Sequence, residues 1–446
     1  MEPLQGKTEG AQEPRKVYTG LERVAEFAKR HPGETLVTLA HHMDMAHMRT
    51  AYELTRKDGA TGVDGQTAKE YAKNLDGNLA LLLERAKSGT YRAPPVRRAY
   101  IPKGTGKEKR PIGIPTFEDK VLQRGVVMVL QALYEQDFLD CSYGFRPGRS
   151  PHQALEAIWH EVMHMGGCWI VEVDIRKFFD TLDHRQVRAL VNVRMRDGVL
   201  DRLIGKWLHA GVMENGDLSY PTAGTPQGGV ISPLLANIYL HYVLDAWFEE
   251  EIKPRLKGRA FLIRYADDFI MGFAVEEDAR RVLGVLPKRF GRYGLTINES
   301  KTRQVDFRPP PTGGAGHFDF LGFTHHWGKS RQGREVVMRR TAKDRFKRAL
   351  RAISNYCRKA RHEEVPEQQK RLSSKLIGHY AYYGITHNKR RLARFWDLTK
   401  RLWRKWLDRR SQKHSMPWET FGRLLERYAL PPPRIVHSYV VSPARP

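Results

Sequence analysis

Residues 261–275 read "FLIRYADDFIMGFAV", a stretch in which two adjacent aspartates, Asp267 and Asp268, separate two apolar runs. The alternation of the flanking residues predicts a β-hairpin with half-buried strands and with the aspartates at its tight connection. Neighbouring carboxylates repel one another, and burying either without a partner is costly. Because aspartate also forms turns readily, the stretch alone leaves two interpretations open, a simple turn or a metal site.

A second acidic residue favours the metal site. In "WIVEVDIRKFFD" (169–180) an apolar strand ends at Asp174. If the two strands are neighbours, Asp174 and Asp267 converge, and Asp268 can assist. Magnesium binds one or two carboxylates, keeps several waters and takes further ligands from substrate phosphates. Two such ions stabilise the attacking and leaving oxygens of an in-line displacement, so we predict phosphoryl-transfer chemistry at two Mg²⁺ ions.

Cationic and glycine-rich segments support this prediction. "IPKGTGKEKRPIGIP" (101–115) is predicted to form two strands around a hairpin, with Lys103 and Arg110 on either side of it. A lysine point charge and an arginine fork suit a triphosphate, although the segment taken alone is better explained as a solvated basic hairpin. "TPQGGVIS" (225–232) offers Gln227 and two glycines that let backbone approach a base pair or nucleotide.

Composition points to a polyanionic partner. The chain has 446 residues, 41% of them hydrophobic, and a formal net charge of +26. Nucleic acid is the first candidate partner, since phosphate neutralisation releases condensed counterions. An anionic membrane surface is the weaker alternative, because no lipidation signal accompanies the charge. The three dispersed cysteines and the lack of a long apolar run predict a cytoplasmic protein with no membrane partner.

The C-terminal region is strongly basic. Residues 389–413 carry eleven basic and two acidic residues, with apolar residues at three- and four-residue spacing. This pattern predicts a helix that packs one face and presents charge on the others. The candidates on it for contact with nucleic acid are Lys389, Arg390, Arg391, Arg401, Arg404 and Lys405.

Seven ordered blocks carry a family resemblance: "RPIGIPT", "SYGFRPGRS", "VDIRKFFD", "TPQGGVISPLLANI", "RYADDF", "GLTINESKT" and "FDFLGF". Together they resemble the reverse transcriptases of bacterial group II introns, from about residue 40 to the C-terminus. "KLIGHYAYYGI" (375–385) further resembles the maturase, or X, domain of that family. Many relatives continue into a zinc-containing endonuclease, for which this sequence shows no cysteine pairs, so we expect an endonuclease-lacking form.

The resemblance implies an α+β fold, a right-hand polymerase with fingers and an antiparallel palm sheet, followed by a helical thumb or maturase domain. The expected organisation has four parts. These are a disordered N-terminus (1–20), an N-terminal extension with the start of the fingers (21–90), fingers and palm (91–310), and primer grip, thumb and maturase domain (311–446).

The resemblance also implies residue roles. Asp174, Asp267 and Asp268 would be the catalytic carboxylates, with the backbone carbonyl of Ile175 as a further magnesium ligand. Binding of the incoming nucleotide would involve Lys103, Arg110, Ile175, Phe179 and Gln227, with Phe179 as the gate that disfavours a 2′-hydroxyl. Lys301 would act as general acid toward the pyrophosphate leaving group. The segment 318–323 would form the primer grip, and Gly62 and Gly65 would contact the template.

The implied function is RNA-directed DNA synthesis on a group II intron RNA during retromobility, together with assistance to splicing. The implied partners are the intron RNA, a DNA target and primer, and dNTPs; a second copy of the chain is left open. Two alternatives remain at this stage. One is a splicing-only maturase that binds RNA, and the other is a domesticated reverse transcriptase acting in repair or phage defence.

Overall fold

A computed structural model describes residues 19–102, 109–214, 216–220, 223–224, 228–311, 313–314, 316–410 and 415–438. Lys103 and Gln227, and nearly all of the N-terminal segment expected to be disordered, lie outside these residues. The chain divides into two compact units. The larger unit contains the described residues up to Ala154 and Trp169–Gln304, and the smaller contains Leu155–Cys168 and the described residues from Val305 onward.

Helices are the commonest regular element of the described structure. In chain order they are α1 (Thr19–Arg30), α2 (Met45–Leu54), α3 (Ala68–Tyr71), α4 (Leu75–Ser88), α5 (Phe117–Tyr134), α6 (Pro151–His164), α7 (Phe178–Thr181), α8 (His184–Val191), α9 (Gly198–Leu208), α10 (Ser232–Leu240), α11 (Glu276–Gly291), α12 (Lys343–Lys359), α13 (Val365–Tyr383), α14 (Lys389–Asp408) and α15 (Trp418–Arg427). Helix α10 continues through two π-helical segments, His241–Asp245 and Trp247–Ile252.

The strands are short. In chain order they are β1 (Val96–Pro102), β2 (Lys109–Ile114), β3 (Cys168–Val173), β4 (Val212–Glu214), β5 (Asp217–Ser219), β6 (Ala260–Tyr265), β7 (Asp268–Phe273), β8 (Arg303–Phe307), β9 (Phe318–Phe320), β10 (Phe323–Lys329) and β11 (Glu335–Thr341).

Local sequence explains where several helices begin. Helix α5 starts after Thr116, whose hydroxyl accepts a hydrogen bond from the Asp119 amide, and acidic residues occupy its first turn. Helix α9 starts after Asp197, whose carboxylate accepts from two backbone amides. Such side chains satisfy amides that have no partner within the helix.

The larger unit holds two sheets. Strands β1 and β2 form the predicted antiparallel pair, in a sheet of order β2-β1-β4-β5. The second sheet contains β6, β7 and β3, in which β7 pairs antiparallel with both β6 and β3. Every residue of β7 from Phe269 to Phe273 is buried. The second sheet is therefore the antiparallel sheet expected for a palm.

The smaller unit combines an antiparallel sheet of order β11-β10-β9 with helices α12 to α15. Its core includes Leu376, Leu392, Phe395 and Trp403, each at most 1% exposed. The segment expected to be helical is thus preceded by a three-stranded sheet that contains most of the predicted primer grip.

Candidate active site

Strand register brings the three predicted catalytic carboxylates to one end of a sheet. Val173, the last residue of β3, pairs with Phe269 of β7. Asp174 is the next residue after Val173, and Asp268 is the residue before Phe269, so both lie at the same end of the sheet. Within the hairpin, Tyr265 pairs with Asp268, which leaves Ala266 and Asp267 as its two-residue connection.

The connection is strained, and its Asp267 differs from the neighbouring Asp268. Ala266 has φ 57°, a left-handed conformation that residues other than glycine adopt at a cost. Asp267 is half-buried whereas Asp268 is exposed. Burial raises the pKa of Asp267, and the nearby charge of Asp174 adds to the rise, while Arg110 and Arg264 act in the opposite direction. The negative charge of Asp174 thus acts directly on the carboxyl group of Asp267.

Asp174 is oriented by a loop that precedes β8. Its Oδ2 accepts a hydrogen bond from Asn298 Nδ2 at 2.9 Å, and its backbone carbonyl accepts from the Asn298 amide at 2.8 Å. Lys301 Nζ lies 3.4 Å from the same carboxylate oxygen, with 57% of the lysine side chain exposed. The structure thus brings Lys301 beside Asp174, and it adds Asn298, which the sequence argument missed.

The buried side chain of Arg264 supports the connection between β6 and β7. Arg264 makes five hydrogen bonds, one for each of its N–H groups. It donates to both carboxylate oxygens of Asp245 at 2.7 and 2.5 Å, to Asn237 Oδ1 at 3.0 Å, to the Ala266 carbonyl at 3.0 Å and to Ser142 Oγ at 2.8 Å. Polar residues inside apolar runs, such as the arginine of "FLIRY", were the available signal for this network, because each needs a buried partner.

Gly144 closes the other side of the connection. A Cβ at Gly144 would lie 2.4 Å from the Ala266 amide nitrogen, so only glycine allows this approach. The Gly144 carbonyl accepts from Asn237 Nδ2 at 2.7 Å, and Asn237 also bonds Arg264. The blocks "SYGFRPGRS", "SPLLANI" and "RYADDF" therefore meet in one hydrogen-bond network around the connection.

The predicted nucleotide-binding residues are partly described. Arg110 is exposed on β2, Ile175 is buried, and Phe179 is half-buried on α7, where its ring meets Phe178 edge-on at 5.2 Å. The backbone of Ile175 bridges to Ile297.

Gln227 itself lies outside the described residues, but a buried hydrogen-bond network supports the backbone that follows it. The Asp119 carboxylate accepts from Tyr91 Oη, Trp207 Nε1 and Gln123 Nε2. Gln123 Oε1 in turn accepts from the Val230 amide at 2.8 Å. The sequence argument missed this hydrogen-bond network.

The two candidate template-contact glycines occupy different environments. Gly62 is buried, and a Cβ there would lie 2.6 Å from the backbone of Thr116. Close packing against the start of α5 thus accounts for glycine at this position. Gly65 is exposed with φ 67°, and nothing lies within 4 Å of a Cβ there. Of the two, Gly65 has the open surface that a ligand contact needs.

Helix α14 carries the predicted basic surface. Lys389, Arg390, Arg401 and Lys405 are exposed, although Arg401 also bonds Asp397 at 2.8 Å. The two other candidates are partly buried and have partners within the unit. The Arg391 guanidinium lies 5.4 Å from the Phe346 ring centre, and Arg404 donates to the Met416 carbonyl.

The carboxylates suit a hard divalent cation. Within the described residues, no group of three or more His, Cys, Asp or Glu side chains forms a ready-made ligand set. Asp174 and Asp267 nevertheless supply two oxygen donors with mutually repelling charges. Magnesium uses one or two protein carboxylates and completes its shell with water and substrate phosphate, so this donor set fits it.

A family comparison decides the class of protein. The family model described as reverse transcriptase (RNA-dependent DNA polymerase) matches residues 101–325, which include Asp174, Asp267, Asp268 and Lys301. The chain belongs to the reverse transcriptase family. Its mixed helices and sheets, with a polymerase domain followed by a mainly helical region, agree with the predicted α+β class.

Relatives of this reverse transcriptase include intron-encoded proteins. It is 39% identical over 226 residues to the group II intron-encoded protein LtrA of Lactococcus lactis subsp. cremoris, a match that covers 50% of this chain and 37% of LtrA. It is 34% identical over 278 residues to protein YkfC of Escherichia coli K12, covering 54% of this chain and 71% of YkfC. It is 28% identical over 321 residues to a putative COX1/OXI3 intron 1 protein of Saccharomyces cerevisiae, covering 60% of this chain and 37% of that protein.

Two further facts bear on this reverse transcriptase. It spans little more than a third of LtrA, the intron-encoded relative with 39% identity. In the part of the chain that the structure describes, every helix is too short or too polar to cross a bilayer.

Proposed function

We propose that the protein is an RNA-directed DNA polymerase that copies a group II intron RNA during retromobility and assists its splicing. One observation carries the polymerase part of the proposal. The pairing of Val173 with Phe269 directs Asp174 and the Asp267–Asp268 pair to one end of a buried sheet. Intron-encoded relatives support the choice of RNA.

In the proposed reaction, a primer 3′-hydroxyl attacks the α-phosphate of a dNTP and pyrophosphate leaves. Asp174, Asp267, Asp268 and the Ile175 carbonyl would hold two Mg²⁺ ions, which supply charge neutralisation for this displacement when bound. Arg110, together with Lys103, would bind the triphosphate. Lys301, beside Asp174, would donate a proton to the leaving pyrophosphate.

Other residues would select and hold the substrates. Phe179, whose ring is fixed against Phe178, would pack under the sugar and disfavour a 2′-hydroxyl. Gln227 would line the nucleotide pocket. The backbone that follows it is held by the hydrogen-bond network of Asp119 and Gln123, which binds the amide of Val230. Gly65 would contact the template backbone directly. Gly62 would act indirectly, because its close packing on Thr116 holds the loop that contains Gly65.

The RNA-binding part of the proposal rests on charge. A formal net charge of +26 favours binding to a polyanion, and α14 exposes Lys389, Arg390, Arg401 and Lys405. Phosphate contacts of this kind give affinity that falls steeply with salt. Replacing Lys389 and Arg390 together by glutamine should weaken RNA binding and reduce its salt dependence.

Primer extension on poly(rA) primed with oligo(dT) tests the polymerase assignment. Asp267→Asn removes one negative charge from the carboxylate pair and should abolish extension while RNA affinity stays close to that of the wild type. Asp76→Asn is the matched control, because Asp76 is exposed and pairs with Arg49. Extension by Asp267→Asn at the wild-type rate would exclude the assignment.

The same variant separates the alternatives. Splicing of an intron transcript made from the DNA flanking the reading frame should survive Asp267→Asn if splicing assistance needs only RNA binding. A wild-type protein that splices but never extends a primer would be a maturase alone. A protein that extends primers but is encoded outside any group II intron would serve a different cellular role.

A further inference from the structure

Phe145 exposes a large apolar ring in a strained conformation. Its side chain is 58% exposed and its φ is 58°. A bulky residue with positive φ is a genuine outlier, and such strain persists only where the surrounding structure enforces it. Folding alone does not explain this residue, because an exposed ring contributes little to a core and the backbone conformation is unfavourable.

Both neighbours of Phe145 are fixed. On one side, the Gly144 carbonyl is bonded by Asn237, and the Gly144 backbone lies against Ala266. On the other side, the buried Arg146 pairs with Glu135 at 3.0 Å and donates to the carbonyls of Leu139 and Ser142 at 2.7 and 2.9 Å. The backbone therefore cannot rotate to turn the ring inward without breaking these bonds.

The Phe145 ring is held beside the connection formed by Ala266 and Asp267. Its centre lies 6.4 Å from the centre of the Tyr265 ring, with the planes inclined by 41°. Tyr265 is the residue directly before Ala266 and Asp267. A rigid, water-exposed aromatic surface thus stands next to the carboxylates where a primer end would react.

We propose that Phe145 contacts nucleic acid. A base of the primer–template duplex stacks on its ring, next to the connection formed by Ala266 and Asp267. This inference rests on the proposed function, since it takes the polymerase substrate as the ligand. Aromatic rings stack on bases with little dependence on sequence, which suits an enzyme that must accept every template. Because the backbone around Phe145 is already fixed, binding carries no entropic cost of ordering this loop.

The test measures binding without catalysis. In an Asp267→Asn background, an RNA-template and DNA-primer duplex carrying 2-aminopurine near the primer end is titrated with protein. Phe145→Ala should weaken binding about tenfold and should reduce the change in 2-aminopurine fluorescence, whereas Phe145→Tyr should retain both. Phe27→Ala is the matched control, because Phe27 is 38% exposed on α1 and stacks on His31.

A glycine variant separates binding from folding. Glycine tolerates positive φ, so Phe145→Gly should have a thermal midpoint no lower than that of the wild type, yet it should bind the duplex as weakly as Phe145→Ala. Unchanged duplex affinity in both variants would overturn the inference, even if the protein polymerises. Conversely, loss of duplex binding in these variants would support the contact even if Asp267→Asn failed to abolish extension.

Discussion

The guanidinium of Arg264 binds the carboxylate of Asp245 through two parallel hydrogen bonds, and both side chains are completely buried. Asp245 lies in the π-helical segment that follows α10, and Arg264 is on β6. From this fixed position the arginine also donates to the Ala266 carbonyl at 3.0 Å. The buried pair therefore positions the connection that carries Asp267.

The first prediction concerns this pair. Asp245→Leu should lower the free energy of unfolding by about 3–5 kcal/mol, because it leaves a buried guanidinium without its counter-charge. Combining it with Arg264→Met should recover part of that loss, since no buried charge then remains. Chemical denaturation of the wild type, the single variants and the double variant measures the coupling.

Primer extension adds a second measurement on the double variant. Extension should stay impaired even where stability recovers, because the Ala266 carbonyl has lost its donor. Glu26→Leu, which removes an exposed pair with Arg30, serves as the control and should change neither quantity appreciably. Additive effects of the two single variants on stability would contradict the predicted coupling.

The second prediction concerns Gly144. Gly144→Ala should reduce the rate of primer extension at least tenfold, because its Cβ would meet the Ala266 amide at 2.4 Å and displace the connection. Gly59→Ala is the matched control, since nothing lies within 4 Å of a Cβ there. Single-turnover extension measures the effect, and equal rates for the two variants would show that the connection tolerates displacement.

The third prediction concerns Asn298. Asn298→Ala should lower the maximal extension rate about tenfold with little change in the Michaelis constant for dNTP, because Asp174 loses the amide that orients it. Asn298→Asp should be more harmful, since it places a like charge beside Asp174. The exposed neighbour Glu299 provides the control as Glu299→Gln. If Asn298→Ala and Glu299→Gln gave the same rate, Asn298 would have no positioning role.

The fourth prediction concerns His379 of α13. Its ring stacks on Phe395 at 3.9 Å, and within the described residues its Nε2 has no hydrogen-bond partner. Burial lowers the pKa of His379 to about 4, from the usual 6.5. The unfolded chain therefore binds this proton first as pH falls, and the residue costs up to about 3 kcal/mol of stability between pH 7 and pH 4.

His379→Phe tests the sign of this effect. The phenyl ring keeps the stack and cannot take a proton, so the variant should gain stability relative to the wild type as pH falls from 7 to 4. Thermal midpoints of both proteins across this range measure the difference. A difference that does not vary with pH would show that His379 is not buried as a neutral ring.

Local pattern was sufficient for much of the fold. The alternation around "YADD" predicted the hairpin of β6 and β7, and the spacing over residues 389–413 predicted α14 with Leu392, Phe395 and Trp403 buried. These features depend on residues close in the chain, where periodicity determines which side faces the core. One detail differed, since the two-residue connection is Ala266 and Asp267, and Asp268 begins β7.

The sequence by itself determined the residue types on which the reverse transcriptase assignment depends, because carboxylates at predicted strand ends, cations near a glycine hairpin and a large positive charge are properties of residue type and order. Only the tertiary structure decided what holds those carboxylates. Arg264 bonds Ser142 across 122 positions, and Asn298 bonds Asp174 across 124. The partner of a buried polar group is set by how distant segments pack, and no local pattern encodes it.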